Sequence, residues 1–437
     1  MPATVKRWLR RPLVAIASVS VVGLALSGCT GIDGDQGSDG GPVTITFLSH
    51  YGTEPFKSGF SELVDQWNKE NPDIQVKWQS VQFNDLLTTL NVRQTGDRGA
   101  DVISAYALWG GQLVSNGVLA EPPADIAADI KDNYSQAAVD AVTTGAGQVL
   151  GYPTELNTYV MFYNKKILQD AGYAQPPASW DELVEVAKAT NKVDGSGNTV
   201  VQGLSLIQDG DNQTVHPFLS LLDSAGGDFL GSDGKSAMGD EATAVMKLES
   251  DLAEAGVSDV SIKPTKAFPS GGVAMALQAG WWIGSLKTAM KDNYVNVGTA
   301  PIPGPKAGDV GSLAYAFFNG VNAHSKHQAE AWKFVKWLNS NKNADGVTQL
   351  GNFFAEQGLI PPRKSDATTL ADKYVTADAN LAPIYEAADY AMAESNAANA
   401  YEAKTETNNA LNEILVNGAA VQKTFDGLVT KIDKQVK

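Results

Sequence analysis

Cysteine is almost missing from this chain of 437 residues: Cys29 stands alone. That excludes an intrachain disulfide, a thiolate zinc cage and a C-x-x-C redox pair. Basic residues are also few, 33 Lys and Arg against 49 Asp and Glu, and the formal net charge of −16 argues against a surface that grips nucleic-acid phosphates. Long apolar runs are scarce. The only candidate, residues 13–26, is fourteen residues long, short of the roughly twenty that a spanning helix needs. Charged residues make up only 19% of the chain, hydrophobic residues 43%, and this composition is globular rather than disordered. At roughly 100 to 200 residues per domain, two or three compact units are expected.

Catalytic signatures are absent as well. The sequence has no G-x-G-x-x-G between a strand and a helix, no H-E-x-x-H and no G-x-S-x-G. Residues 231–236 hint at a phosphate loop, but the spacing needs glycine where Phe229 stands. Residues 194–198 make a tight turn that lacks the glycine and distal glutamate of a calcium loop. Of four histidines, His324 and His327 flank Ser325, which reads as a helix cap rather than a metal site. No pair of carboxylates can be singled out for glycoside hydrolysis. No cofactor is expected.

What is present begins with a leader. Lys6, Arg7, Arg10 and Arg11 precede the apolar run, and small residues lead to Leu26-Ser27-Gly28-Cys29. This looks like a bacterial lipoprotein cleavage box, with residues 1–28 a signal peptide and Cys29 the lipidated residue. Cleavage would leave 29 basic against 49 acidic residues, a net charge of −20. Arg10-Arg11 leaves both Sec and twin-arginine export open. Residues 29–42 read as the lipidated cysteine and a flexible linker, of which residues 31–42 reach about 20 Å.

Beyond residue 42 the pattern is that of an open α/β sheet. Val43, Ile45 and Phe47 alternate; Phe60, Leu63, Val64 and Trp67 follow at i, i+3, i+4, i+7; Ile74, Val76 and Trp78 alternate again. That is a strand, a helix and a strand with a crossover long enough for parallel pairing. Leu86, Leu87 and Leu90 predict a second helix, and residues 101–104 a short strand. Ser179 with Glu182 and Ser325 with Gln328 form two capping boxes. In such sheets ligands sit beyond the carboxyl ends of the strands. Trp109 and Tyr106 follow one strand end there. Trp281 and Trp282 follow the strand-like residues 273–277; adjacent helix residues point about 100° apart, so at most one of the two should be core. Aromatic faces suit the C–H side of a sugar, and amides or carboxylates suit its hydroxyls.

The stretches Gly151-Tyr152-Pro153, Met161-Phe162-Tyr163-Asn164-Lys165, Ala171-Gly172 and Pro176 to Leu183 resemble the central signature of family 1 extracellular solute-binding proteins. These are the sugar receptors of ABC importers, similar to maltose-binding protein. Gly272 to Met275 with Gly280-Trp281, Pro301 to Pro305, Ala331 to Leu338 and Pro361-Pro362-Arg363 continue the resemblance in family order. It implies an α/β, two-lobed periplasmic-binding-protein-like fold of type II, with a ligand cleft between lobes joined by hinge crossings near residues 148–153 and 301–312. Residues 43–150 plus about 312–345 would form the N-terminal lobe, and 151–305 plus about 346–437 the C-terminal lobe. Ligand contacts are implied at Ser49, His50, Tyr51, Tyr106, Trp109, Glu155, Asn157, Trp281, Trp282 and Tyr315. The implied protein is a monomer that binds a carbohydrate, meets ABC permease subunits and no nucleic acid, and sits on the extracellular face of a bacterial cell membrane through lipid on Cys29. The rivals are a peptide, polyamine, metal or osmolyte receptor of the same fold, and a secreted carbohydrate-active enzyme.

Two departures stand out. Ala100 replaces the family's proline before Asp101, and residues 396–402 lack a tryptophan found in several relatives, with Tyr401 the candidate substitute. Asn212, Gln213 and His216 are divided between cleft and helix cap.

Overall fold

A computed structural model describes residues 41–54, 56–94, 99–208 and 212–436. The expected leader, Cys29 and the linker up to residue 40 lie outside the described residues. The first strand, β1 (Val43–Ser49), buries Ile45 and Phe47 completely. The helix Phe56–Glu70 buries the Phe60, Leu63, Val64 and Trp67 stripe that its spacing predicts. It carries the chain to β2 (Ile74–Ser80), which runs parallel to β1. The helix Phe83–Gln94 then leads towards β3 (Val102–Tyr106), parallel to β1 on its other side. That strand starts one residue later than expected because Asp101 acts as a tie: its carboxylate accepts from the Thr46 N–H at 2.7 Å and the Thr46 hydroxyl at 2.9 Å.

The remaining strands are β4 (Tyr152–Asn164), β5 (Lys192–Val193), β6 (Thr199–Ser205), β7 (Val273–Ala279), β8 (Val297–Ala300), β9 (Ile302–Pro303), β10 (Val310–Gly311), β11 (Leu313–Val321) and β12 (Met392–Ala393). The main sheet has the order β2-β1-β3-β11-β4-β7-β6-β5, with β12 on β11 and β8 on β4, while β9 and β10 pair with each other. Two strands join its halves. Residues 317–321 of β11 pair antiparallel with β3, while residues 314–319 of the same strand pair with the first half of β4. The second half of β4, from Tyr159 to Tyr163, pairs with β7. Phe317 faces Glu155 but Phe318 faces Pro153, so Thr154 is an extra residue, a bulge that re-aims the side chains beyond it.

Helices cover the sheet. Gln349–Glu356 packs on Phe56–Glu70 and on Gln328–Ser340, whereas Ala400–Leu415 packs on Val215–Ser224 and Asp240–Glu254. No helix among the described residues is long and apolar enough to cross a membrane.

The two capping boxes fare differently. Ser179 accepts from the Glu182 N–H at 3.3 Å, and the Glu182 carboxylate reaches back to the Ala178 N–H at 2.8 Å. Ser325 does not cap: the helix Gln328–Ser340 begins after His327, so the Ser325 hydroxyl oxygen accepts from the His327 N–H at 3.0 Å, ahead of the first turn, while its hydrogen goes to Asp101 at 2.7 Å. Donating to Asp101 leaves the hydroxyl oxygen free to accept, so the box fails because the helix starts two residues late and not because the hydroxyl is taken. Ser179→Ala should lower the unfolding free energy by about 1 kcal/mol. Urea denaturation should show a lower midpoint with an unchanged slope.

Candidate functional site

Strand ends converge on one cavity of about 400 Å³. His50 follows β1, Tyr106 closes β3, and Trp281 follows β7, all at carboxyl ends. Glu155 and Asn157 project from β4, and Tyr315 and Phe317 from β11; residues two apart on a strand share a face, so each strand delivers a pair. The helix Phe83–Gln94 supplies Phe83, Asn84, Leu87 and Thr88, one helical face. Gln208, Asn212, His216, Tyr401 and Lys404 line another wall.

Of the ten residues implied by resemblance, eight line this cavity: His50, Tyr51, Tyr106, Trp109, Glu155, Asn157, Trp281 and Tyr315. Ser49 does not. It is wholly buried, and its hydroxyl accepts from the Trp78 indole at 2.8 Å and the Tyr51 N–H at 3.3 Å, so it shapes the loop behind the wall. Trp282 does not either. It is 1% exposed, with its ring 5.0 Å from both Phe162 and Phe268, because the roughly 100° turn between neighbouring helix positions sends it into the core and leaves Trp281 at the cavity. Asn212 and His216 line the cavity, while Gln213 binds Lys263 instead. Trp109 has less freedom than its place after β3 suggests. It is 4% exposed, and Phe83, 38% exposed, stacks on it at 5.6 Å and 15°.

Several lining residues were not visible as site residues. Phe83 to Thr88 read only as an amphipathic helix. Lys404 had a signal that went unused: it sits on the inward stripe of Ala400–Leu415 with Ala403, Thr407 and Leu411, where a lysine is out of place unless paired. Its partner Glu394 lies just past β12, and no local pattern marks it.

Burial dominates the electrostatics. His50 stays neutral, its pKa pushed down to about 3 by loss of water, with its ring 4.5 Å from Phe317. Burial raises Glu155 to about 7, against the opposing hydrogen bonds from Thr154 and Tyr51. The Tyr51 hydroxyl lies 2.8 and 2.9 Å from its two oxygens. Glu394 goes the other way. Burial alone would raise it, but the Lys404 ammonium, 2.9 Å away, together with His216 and the Tyr106 hydroxyl, holds it at about 2. Three buried polar atoms on cavity residues have no partner: His50 Nδ1, Trp109 Nε1 and Asn157 Oδ1. Among the described residues no cluster of three or more His, Cys, Asp or Glu could hold a metal ion.

The raised Glu155 carboxyl has a consequence for stability. The folded state holds a proton that the unfolded chain releases near pH 4.5, so this group's contribution is complete below that pH and is lost as pH rises through about 7. Glu155→Gln, which keeps the neutral shape, should gain stability relative to the parent between pH 4.5 and 7. Melting curves of the two proteins across that range test it; parallel curves would refute a buried protonated Glu155.

Similarity to known proteins agrees with this geometry. The family described as bacterial extracellular solute-binding protein matches residues 53–345. The arabinooligosaccharide-binding protein of Bacillus subtilis is 22% identical over 348 residues, 74% of each chain. The GacH receptor of Streptomyces glaucescens, solved unliganded and with acarbose, superposes with a TM-score of 0.75 at 23% identity, covering 91% of this chain and all of that one. The cyclic alpha-maltosyl-1,6-maltose binding protein of Arthrobacter globiformis gives 0.74 at 26% identity, with the same coverage. The fold is α/β, of the two-lobed periplasmic-binding-protein kind. With the family matched across most of its folded length, the chain belongs to the bacterial extracellular solute-binding proteins.

Proposed function

We propose that this chain is the sugar receptor of an ABC importer, which closes on a sugar or oligosaccharide and delivers it to permease subunits in the membrane. One observation carries the reading: an aromatic-lined cavity holds buried polar atoms on Trp109, Asn157 and His50 that have no partner within the protein. A buried donor or acceptor left unpaired costs about 1–3 kcal/mol, which a ligand hydroxyl would recover. The rings of Trp281, Tyr401 and Phe83 offer apolar faces for the C–H side of a pyranose. The receptors named above bind saccharides, which supports the same ligand class here.

The lobes would be residues 43–150 with about 312–345, and 151–305 with about 346–437, joined through β4 and β11, except that the packing of Gln349–Glu356 on Phe56–Glu70 and Gln328–Ser340 favours moving that helix to the first lobe. Closing such a hinge from 1:99 to 99:1 takes about 5.5 kcal/mol of differential affinity, so ligand contacts must come from both lobes. Cys29 carries the lipid that holds the monomer outside the cell membrane. The family matched is one of binding proteins, which supports binding rather than catalysis.

A thermal-shift panel of maltotriose, arabino-oligosaccharides, polyamines and amino acids tests the reading. A saccharide at 100 times its dissociation constant should stabilise the protein by about 2.7 kcal/mol. A shift with polyamines or amino acids alone would overturn it. Trp281→Ala should weaken the bound sugar by about 1 kcal/mol or more by calorimetry while leaving the melting temperature near the parent's, since this ring is only half-buried. Trp109→Ala should instead cost about 3–5 kcal/mol of stability, because Phe83 covers that ring.

A further inference from the structure

In the cavity wall and just behind it, four buried side chains from four elements meet: Tyr106 from β3, His216 from Val215–Ser224, Glu394 from beyond β12 and Lys404 from Ala400–Leu415. Counting hydrogens gives one self-consistent set of bonds among them, in which His216 Nε2 accepts. An ammonium has three hydrogens and no lone pair. Lys404 Nζ has three acceptors: Glu394 Oε1 at 2.9 Å, the Tyr106 hydroxyl oxygen at 3.3 Å and His216 Nε2. The Tyr106 hydrogen goes to Glu394 Oε2. His216 Nε2 also stands 2.8 Å from Glu394 Oε1 and 3.1 Å from the Tyr106 hydroxyl; one tautomer would donate from Nε2 to Glu394, and the other accepts there from the ammonium.

With Nε2 accepting, a neutral imidazole carries its single proton on Nδ1. Burial and the charge of Lys404, against the pull of Glu394, keep His216 neutral above about pH 4. Nδ1 lies 2.9 Å from the Tyr159 hydroxyl oxygen, which accepts that proton's bond. The Tyr159 hydrogen is then free for one partner, and it goes to Gln208 Oε1. Gln208 stands three residues past β6, lines the cavity and is anchored by its backbone N–H on Gln213 O at 2.8 Å. Its carbonyl is taken, and among the described residues its NH2 has no hydrogen-bond partner, so it remains for whatever enters.

We propose that Gln208 is a ligand-reading donor, turned by the chain Lys404, His216 and Tyr159 so that its NH2 meets an acceptor oxygen of the bound solute, a hydroxyl or a ring or glycosidic ether. This rests on the receptor reading above. His216 and Tyr159 are positioning residues; Gln208 alone makes the contact. The chain ends in a carbonyl acceptor and begins in a cation fixed by a carboxylate, so its direction is set from one end.

The chain can be tested without ligand. In protein labelled with 15N-histidine, His216 is assigned among the four histidines by comparison with His216→Asn. Its ring should carry one proton, on Nδ1, at neutral pH; an Nε2-protonated ring or an imidazolium overturns the proposal. Calorimetry with maltotriose then tests the contact. Gln208→Glu keeps the side-chain oxygen and loses the NH2, so affinity should fall about tenfold or more with the melting temperature near the parent's. Unchanged affinity means that the amide reads through its oxygen, or not at all, and overturns the proposal. Tyr159→Phe should cost less, and Gln208→Glu should add little in that background, because both remove the same oriented donor. Additive losses would refute positioning. If neither maltotriose nor any other saccharide of the panel binds the parent protein, the receptor reading fails and the contact fails with it, while the histidine spectrum still decides the state of the chain.

Discussion

The antiparallel pairing of β4 with β11 is the constraint on which the rest of the molecule depends. Without it, the strands around β1 and those around β7 would be two separate α/β sheets. Each of the two strands serves both halves, so whatever they project inward lies where the halves meet. Glu155, Asn157 and Tyr159 on one strand and Tyr315 and Phe317 on the other alternate onto a common face, and the bulge at Thr154 fixes the phase of that alternation. A cavity at this place is therefore built from backbone register rather than from mobile loops, which suits a site that must hold several polar groups at fixed spacing.

Burying charge beside this cavity is costly, and the structure shows how the cost is met. Glu394 and Lys404 are each 4% exposed in their side chains. A lone ion at such depth would neutralise, and a pair survives only when the remaining lone pairs and hydrogens are satisfied. Here Tyr106 and His216 complete the set. Removing any member would strand the others, so the group behaves as a unit. Glu155 shows the contrasting solution: with hydroxyls around it and no cation, burial wins and the carboxyl keeps its proton until about pH 7. Two carboxyl groups near one cavity thus differ in charge below about pH 7 because one has an ammonium beside it.

Family membership constrains function more firmly than the absence of catalytic motifs did. Cavity chemistry adds to it in a particular way. Most of the lining rings are nearly buried and packed on one another, Tyr106 on Phe317 at 5.1 Å and Tyr315 on His216 at 5.2 Å. They form a packed wall, while the rings of Trp281, Tyr401, Phe83, Phe56 and His50 are more exposed to a guest.

Local pattern was enough for much of the fold. The amphipathic stripe of Phe60, Leu63, Val64 and Trp67, the strands from Val43 and Ile74 and the Ser179 cap all follow from short-range periodicity and hydrogen-bonding options, and tertiary packing left them unaltered. Resemblance placed eight of ten named residues around one cavity. Trp281 and Trp282 mark the boundary of that knowledge: the sequence separates them by a helical angle, and only the positions of Phe162 and Phe268 decide which one is core. Ser325 shows the same limit, since the helix starts two residues later than the local pattern assigns and the hydroxyl's hydrogen goes to Asp101, distant in sequence. The sequence by itself determined the α/β alternation and the kinship with solute-binding proteins, because these depend on neighbours along the chain. Tertiary structure alone decided that Glu394, Lys404, His216 and Tyr106 share one set of hydrogen bonds. Their pairing spans up to 298 positions, and no interaction between sequence neighbours reports it.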